Sequence, residues 1–152
     1  MRLLSLRYIC QGEYVIMAAM HEETKRDVPL DQLFCALADS TRLRIINLMG
    51  EQEVCVCYFT QVIAAPQPKI SRHLAYLRRT GIVGARREGK WMHYRLLMPQ
   101  EPHAASILES TLKAFQQDKD MQRDLARLRR ACCGPKSLVE AIGAPVPARV
   151  TA

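Results

Sequence analysis

Six cysteines in 152 residues carry most of the chemistry this chain could perform. Cys55 and Cys57 flank a single valine, Cys132 and Cys133 are adjacent, and Cys10 and Cys35 stand alone. A disulfide wants Cα atoms about 4.4–6.8 Å apart with suitably directed side chains, which such close neighbours meet poorly. Close cysteine pairs point instead to metal binding or thiol chemistry, in a reducing cytoplasm. Thiolates are soft donors that favour soft or thiophilic ions over hard ones. On a regular helix, residues i and i+2 point about 200° apart. Cys55 and Cys57 can therefore share one ion only where the helix starts late or its first turn opens. Binding there would strain whatever that helix supports.

Charge is the second chemical feature. The chain has a formal net charge of +7. Between Pro66 and Arg95 stand Lys69, Arg72, Arg78, Arg79, Arg86, Arg87, Lys90 and Arg95, against the single acid Glu88. Eight cations less one anion equals the whole excess of +7, so the rest of the chain sums to zero. A solvated helix face normally mixes signs, because Glu–Lys pairs stabilise it. A one-signed block of this kind fits a phosphate-bearing partner, namely nucleic acid.

Other classes fit less well. No nucleophile–base–orienter set and no phosphate-cradling glycine loop is present, which argues against an enzyme. No apolar run approaches the roughly 18 residues of a membrane span. The first twenty residues faintly resemble a secretion signal, but Gln11, Gly12 and Glu13 break its apolar centre. Met17 and Met20 leave the natural start position open.

The elements that must position these groups follow from periodicity. Residues 1–28 form a weakly patterned extension. Leu30, Leu33, Phe34 and Leu37 have helical spacing, and Asp39, Ser40 and Thr41 supply capping side chains for a second helix that Gly50 can end. A third helix is expected over Val54–Ala64. After Pro66 a fourth helix places Ile70, Leu74 and Leu77 on one stripe, with Lys69, Arg72, Tyr76 and Arg79 opposite. Two short strands meet around Glu88-Gly89-Lys90 as a hairpin. A long last helix is expected over about 103–131, followed by a loose tail over 132–152.

This order is mainly α with a small β-hairpin: a winged helix-turn-helix domain over 29–131, dimerising through terminal helices. In that architecture the second helix of the motif enters the major groove. Gln67, Lys69, Ser71, Arg72, His73, Tyr76 and Arg79 then face double-stranded DNA. Arg78 also reaches phosphate. His73 serves equally well as a packed or capping residue. Arg86, Arg87 and Lys90 lie on a wing that reaches an adjacent minor groove.

The blocks ALADSTRLRIINLM, EVCVCYFTQVI, QPKISRHLAYLRRTGIV and RREGKWMHYRL, taken in order, resemble the ArsR/SmtB family of bacterial metal-sensing repressors. They cover about residues 30–98, and the last helix is similar in kind to the family's dimerisation helix. The resemblance implies a cytoplasmic homodimer on an imperfect inverted repeat of operator DNA, with no organic cofactor, that leaves DNA when a metal or metalloid binds. Val54-Cys55-Val56-Cys57 resembles the signature of the arsenic-responsive branch, which implies As(III), with Sb(III) as congener, held by Cys55 and Cys57. The third cysteine of that branch falls where this chain has Thr60. Cys132 or Cys133 is the expected replacement, and Cys10 and Cys35 are further options. Cys35 suits a core or interface position better. Cadmium- and lead-responsive relatives resemble this chain in joining N-terminal cysteines such as Cys10 to the Cys55–Cys57 pair, and a thiol redox switch is a further alternative. A zinc set on the last helix is not expected, because His103 has no second histidine at helical spacing. Pro66 replaces the usual serine cap of the recognition helix.

Overall fold

The structure is a computed structural model that describes residues 27–133 and 137–149. Two helices open it, α1 (Leu30–Leu37) and α2 (Ser40–Met49). Asp39 caps α2 by accepting a hydrogen bond from the Arg42 amide at 2.9 Å, which satisfies one of the free amides of the first turn. Gly50, at φ 46°, ends that helix where a side chain would be strained.

Strand β1 (Gln52–Cys55) follows, then α3 (Val56–Ile63), α4 (Gln67–Thr80), the hairpin strands β2 (Val83–Glu88) and β3 (Trp91–Leu96), and α5 (Pro102–Phe115). The chain finishes with α6 (Lys119–Cys133), α7 (Leu138–Ile142) and β4 (Ala148–Arg149). The strands form one sheet in the order β2-β3-β1-β4, antiparallel at each pairing. Mainly helical elements around a β-hairpin make the expected winged helix-turn-helix.

The core is aliphatic, with Ile45, Leu48, Ile70, Leu74, Leu77 and Ile82 all fully buried. Ile70, Leu74 and Leu77 are the apolar stripe expected of α4, and they seat it against α2 and α3. Tyr58 and Phe59 add the largest buried rings, and Phe59 meets Tyr94 of β3 edge-on at 6.2 Å.

Three expectations are corrected. The third helix begins at Val56, because Gln52–Cys55 pair with β3 and β4 as a strand. Backbone hydrogen bonds to strands remote in sequence override the local helical pattern, and only folding brings those strands near. The last helix is two helices. Asp118 breaks it by accepting amide hydrogen bonds from Asp120 and Met121, so that α6 turns back onto α2 and α3. The apolar spacing runs through this break, so periodicity could not reveal it. The tail expected to be loose from 132 carries α7 and β4, with Ser137 and Ala144 buried. Beyond the expected limits of the central domain, Val28 is buried in the core and Cys132 packs against it. Residues 1–26, and with them Cys10, lie outside the described residues.

One ion pair anchors α6. Asp124, 3% exposed at its side chain, accepts from Arg44 Nε at 2.5 Å and Nη2 at 2.8 Å. Asn47 adds a hydrogen bond to the Met121 carbonyl at 2.9 Å. Removing Arg44 leaves the buried Asp124 carboxylate with only the more exposed Arg127, at 3.6 Å. Arg44→Ala is expected to lower unfolding free energy by about 2–3 kcal/mol, read as a reduced urea midpoint.

Candidate functional site

Cys55 is both the last residue of β1 and the residue that caps α3, with extended backbone at φ −72° and ψ 147°. Cys57 is the second residue of the helix. The helix therefore does start late, and the pair straddles a strand-to-helix junction instead of lying on one turn. That removes the 200° divergence of a regular helix: the two thiols share a hydrogen bond. Cys55 is buried and Cys57 half-buried.

The shared proton divides their acidity. A hydrogen bond from the Cys57 thiol, joined by the amides of Cys57, Met92 and Val56, brings the Cys55 pKa down to about 7 against the opposing effect of burial. The same hydrogen bond, with burial and the Cys55 charge, pushes Cys57 well above the thiol range. One sulfur is thus substantially ionised near neutral pH while its neighbour holds the proton. Two adjacent soft donors with one proton to displace suit a thiophilic ion. Burial and the two thiols also push the Tyr58 hydroxyl up, and that fully buried oxygen has no hydrogen-bond partner.

Of the remaining ligands expected from sequence, only Cys35 and Cys132 have described side chains. Thr60, at the place of a third cysteine, donates its hydroxyl to the Cys57 carbonyl at 2.7 Å. Cys132 lies on α6, which packs against α3, but it is disulfide-bonded, contrary to the expectation of free thiols, and could ligate only after reduction. The side chain of Cys133 lies outside the described residues. Cys35 is exposed on α1, which removes the core from its two expected placements, core or interface. Among the described residues no three of His, Cys, Asp or Glu converge as a metal set.

The expected DNA-facing residues fall into two groups. Gln67, Lys69, Arg72, Arg78 and Arg79 are exposed along α4, and Ser71, His73 and Tyr76 are half-buried beside them. Pro66 starts this helix without a side-chain cap, its carbonyl accepting from the amides of Lys69 and Ile70. Pro68 occupies the first turn, where a missing amide costs nothing. The turn before it contains Ala64 in the left-handed region at φ 57°. Arg42 and Arg79 lie over the Tyr76 ring at 4.4 and 5.6 Å, so α2 contributes a cation the sequence reading had not included. His73 faces Asp39 at 3.6 Å, and burial holds its pKa below the usual imidazole value, so it is neutral at pH 7.

On the wing, Arg87 and Lys90 are exposed near the tip, with Lys90 over the Trp91 ring at 4.8 Å. Arg86 departs from expectation. Its guanidinium turns to Glu53 at 2.6 Å and Glu88 at 2.7 Å, which neutralises the charge and aims it into the sheet. Paired cations of that kind are spent within the protein, a fate that composition cannot reveal.

Comparisons with known proteins agree with this geometry. The sequence profile described as "Bacterial regulatory protein, arsR family" matches residues 39–84, from the cap of α2 into β2. The arsenical resistance operon repressor of Escherichia coli K12 is 45% identical over 98 residues, which is 63% of this chain and 84% of that protein. A cadmium resistance regulatory protein homologue from Staphylococcus aureus is 31% identical over 74% of this chain and 93% of its own length. Among solved structures, HlyU of Vibrio cholerae superposes with a TM-score of 0.51 at 27% identity, covering 58% of this chain and 92% of that one. These relatives are regulators and not enzymes.

The thiol pair makes a direct prediction. A variant retaining only Cys55 and Cys57 is expected to gain one thiolate with a midpoint near pH 7 in an ultraviolet absorbance titration. Cys57→Ala, which removes the donor, moves the Cys55 midpoint up toward the ~8.5 of a free thiol.

Proposed function

Because this chain belongs to the arsR family of bacterial regulatory proteins, we propose that it is a cytoplasmic homodimeric repressor released from operator DNA by trivalent arsenic, and by antimony as its congener. The observation that carries the reading is the contact between the Cys55 and Cys57 thiols at a junction immediately upstream of the helix that bears the cations. A relative of 45% identity named for arsenical resistance supports the choice of ion.

Exposed Phe34 and Leu30 on α1 supply apolar surface for the second protomer. Gln67, Lys69, Ser71, Arg72, His73, Tyr76 and Arg79 face the major groove, and Arg87 and Lys90 reach the flanking backbone. Phosphate contacts by these cations set affinity and its steep salt dependence, while base-edge contacts near the start of α4 set sequence.

Trivalent arsenic, if bound, would exchange its hydroxides for thiolates, the thiol protons leaving with the hydroxides as water. Cys55 is the first donor, since it ionises near neutrality, and Cys57 becomes the second by giving up the shared proton. A third sulfur, from Cys132 or Cys133 in the reduced protein, completes the set from outside the junction. Loss of the hydrogen bond between the thiols and recruitment of Cys57 reshape the first turn of α3. That helix packs directly on α4, so the DNA-facing surface moves with it. Shifting operator occupancy from 99:1 to 1:99 needs about 5.5 kcal/mol, and typical couplings supply about 1–3 kcal/mol. Two sites per dimer bring the requirement within reach.

Cys55→Ser is expected to keep operator affinity within about threefold while losing release, measured by fluorescence anisotropy with arsenite. The wild-type protein weakens about 100-fold or more under the same titration. Normal release by the variant would overturn the assignment.

A further inference from the structure

The thiol strand and the cationic wing are linked by more than the backbone. Strand β3 separates β2 from β1 in the sheet. Its residue His93 is registered with Arg86 on one side and with Cys55 on the other, so these three residues form one row across three strands. Side chains directly opposite one another in antiparallel strands share a face, as do residues two apart along a strand. Glu53, Glu88 and the row itself therefore lie on the same side of the sheet.

Their side chains meet there. Arg86 Nη2 is 2.6 Å from Glu53 Oε1, bridging β2 to β1 over the top of β3. Arg86 Nη1 is 2.7 Å from Glu88 Oε2. His93 sits beneath, with Nδ1 at 3.5 Å from Glu53 Oε1 and Nε2 at 3.5 Å from Glu88 Oε2. Glu53 and His93 are 3% and 2% exposed. A carboxylate so buried is tolerable only while its cation stays in contact, because desolvation and attraction are both large there. The two charges are in contact as an ion pair, with Glu53 Oε1 lacking a hydrogen-bond partner in good geometry among the described residues. Displacing the strand that ends in Cys55 either drags the wing along or exposes an uncompensated charge.

We infer that the Glu53–Arg86 bridge is the coupling link by which a change at the Cys55–Cys57 junction repositions the wing, with both residues acting as positioning residues. The inference rests on the reading of that pair as the metalloid site. The bridge provides a second route from thiols to DNA, parallel to the packing of α3 on α4. It also explains why a wing arginine in the cationic block faces a buried acid.

The test uses the full-length protein with Glu53→Gln and Arg86→Gln, one variant at each end, and Arg86→Lys as the charge-retaining control. Operator affinity is measured against salt without and with arsenite, and arsenite binding is measured separately by thiolate absorbance. Glu53→Gln is expected to bind operator and arsenite within about threefold of wild type, while the factor by which arsenite weakens operator binding falls about tenfold. Arg86→Gln follows it with an unchanged salt slope, and Arg86→Lys recovers part of the release. Hydrogen exchange on the metal-free protein adds an independent readout, in which amides of β1 and the wing exchange faster together in Glu53→Gln. A release factor equal to wild type in both glutamine variants overturns the link. So does a salt slope lowered by about one in Arg86→Gln, the mark of a lost phosphate contact. Wild-type protein that holds its operator at saturating arsenite overturns the sensor reading itself, and the link with it.

Discussion

The pairing of β1 with β3 is the interaction on which the rest of the molecule depends. Through it, Cys55 and the three residues before it join the wing's sheet, with Val54 and Cys55 paired directly to β3. It draws the backbone out as strand up to Cys55, so α3 begins at Val56 and the two sulfurs can meet across the junction. The amide of Met92, on β3, helps stabilise the Cys55 thiolate. Fold and thiol chemistry thus meet at the same pair of strands. On its other edge β1 is covered by β4, through Gln52 with Arg149 and Glu53 with Ala148. A strand held on both sides transmits displacement better than a free edge, because neither neighbour can relax independently.

Electrostatics divides the cationic block into two populations. Along α4 the cations project into solvent, whereas Arg42 of α2, over the Tyr76 ring, is held by the Ala36 and Cys35 carbonyls. Projection into solvent leaves the α4 charges available to a polyanion at long range and makes binding sensitive to ionic strength. Arg86 belongs to the second population, paired with Glu53 and Glu88 and contributing rigidity instead of attraction. The same division appears at Arg44, which is consumed by buried Asp124 and holds α6 against α2. A basic sequence is therefore a poor guide to basic surface until each cation's nearest acid is known.

The thiol pair at the start of α3 divides one proton between two sulfurs. Two sulfurs in contact cannot both ionise easily, so one proton leaves near neutrality and the other stays. Such a pair is primed for an ion able to replace the shared proton, and it discriminates against hard cations, which gain little from sulfur. Helix α6, packed on α3, ends at Cys132 and Cys133, so the element that carries these cysteines is already tied to the element that carries Cys57.

The chain's own residue order determined a good deal. The apolar stripe of Ile70, Leu74 and Leu77, the Asp39 cap and the glycine-containing hairpin are local patterns, readable because helix and turn preferences act over a few residues. The spacing of Cys55 and Cys57, and the lone Glu88 among eight cations, likewise set the expectations of soft-ion chemistry and a phosphate partner. Other features arise from contacts between residues far apart in the chain. The start of α3 depends on β3 and β4, roughly 40 and 95 residues away. The ordering of the tail into α7 and β4 and the inward turn of Arg86 depend on what folding places beside them, whereas the break at Asp118 is made by local amides and is hidden only because the apolar spacing continues through it. Periodicity reports which face of an element is buried, but it carries no information about which remote partner covers that face.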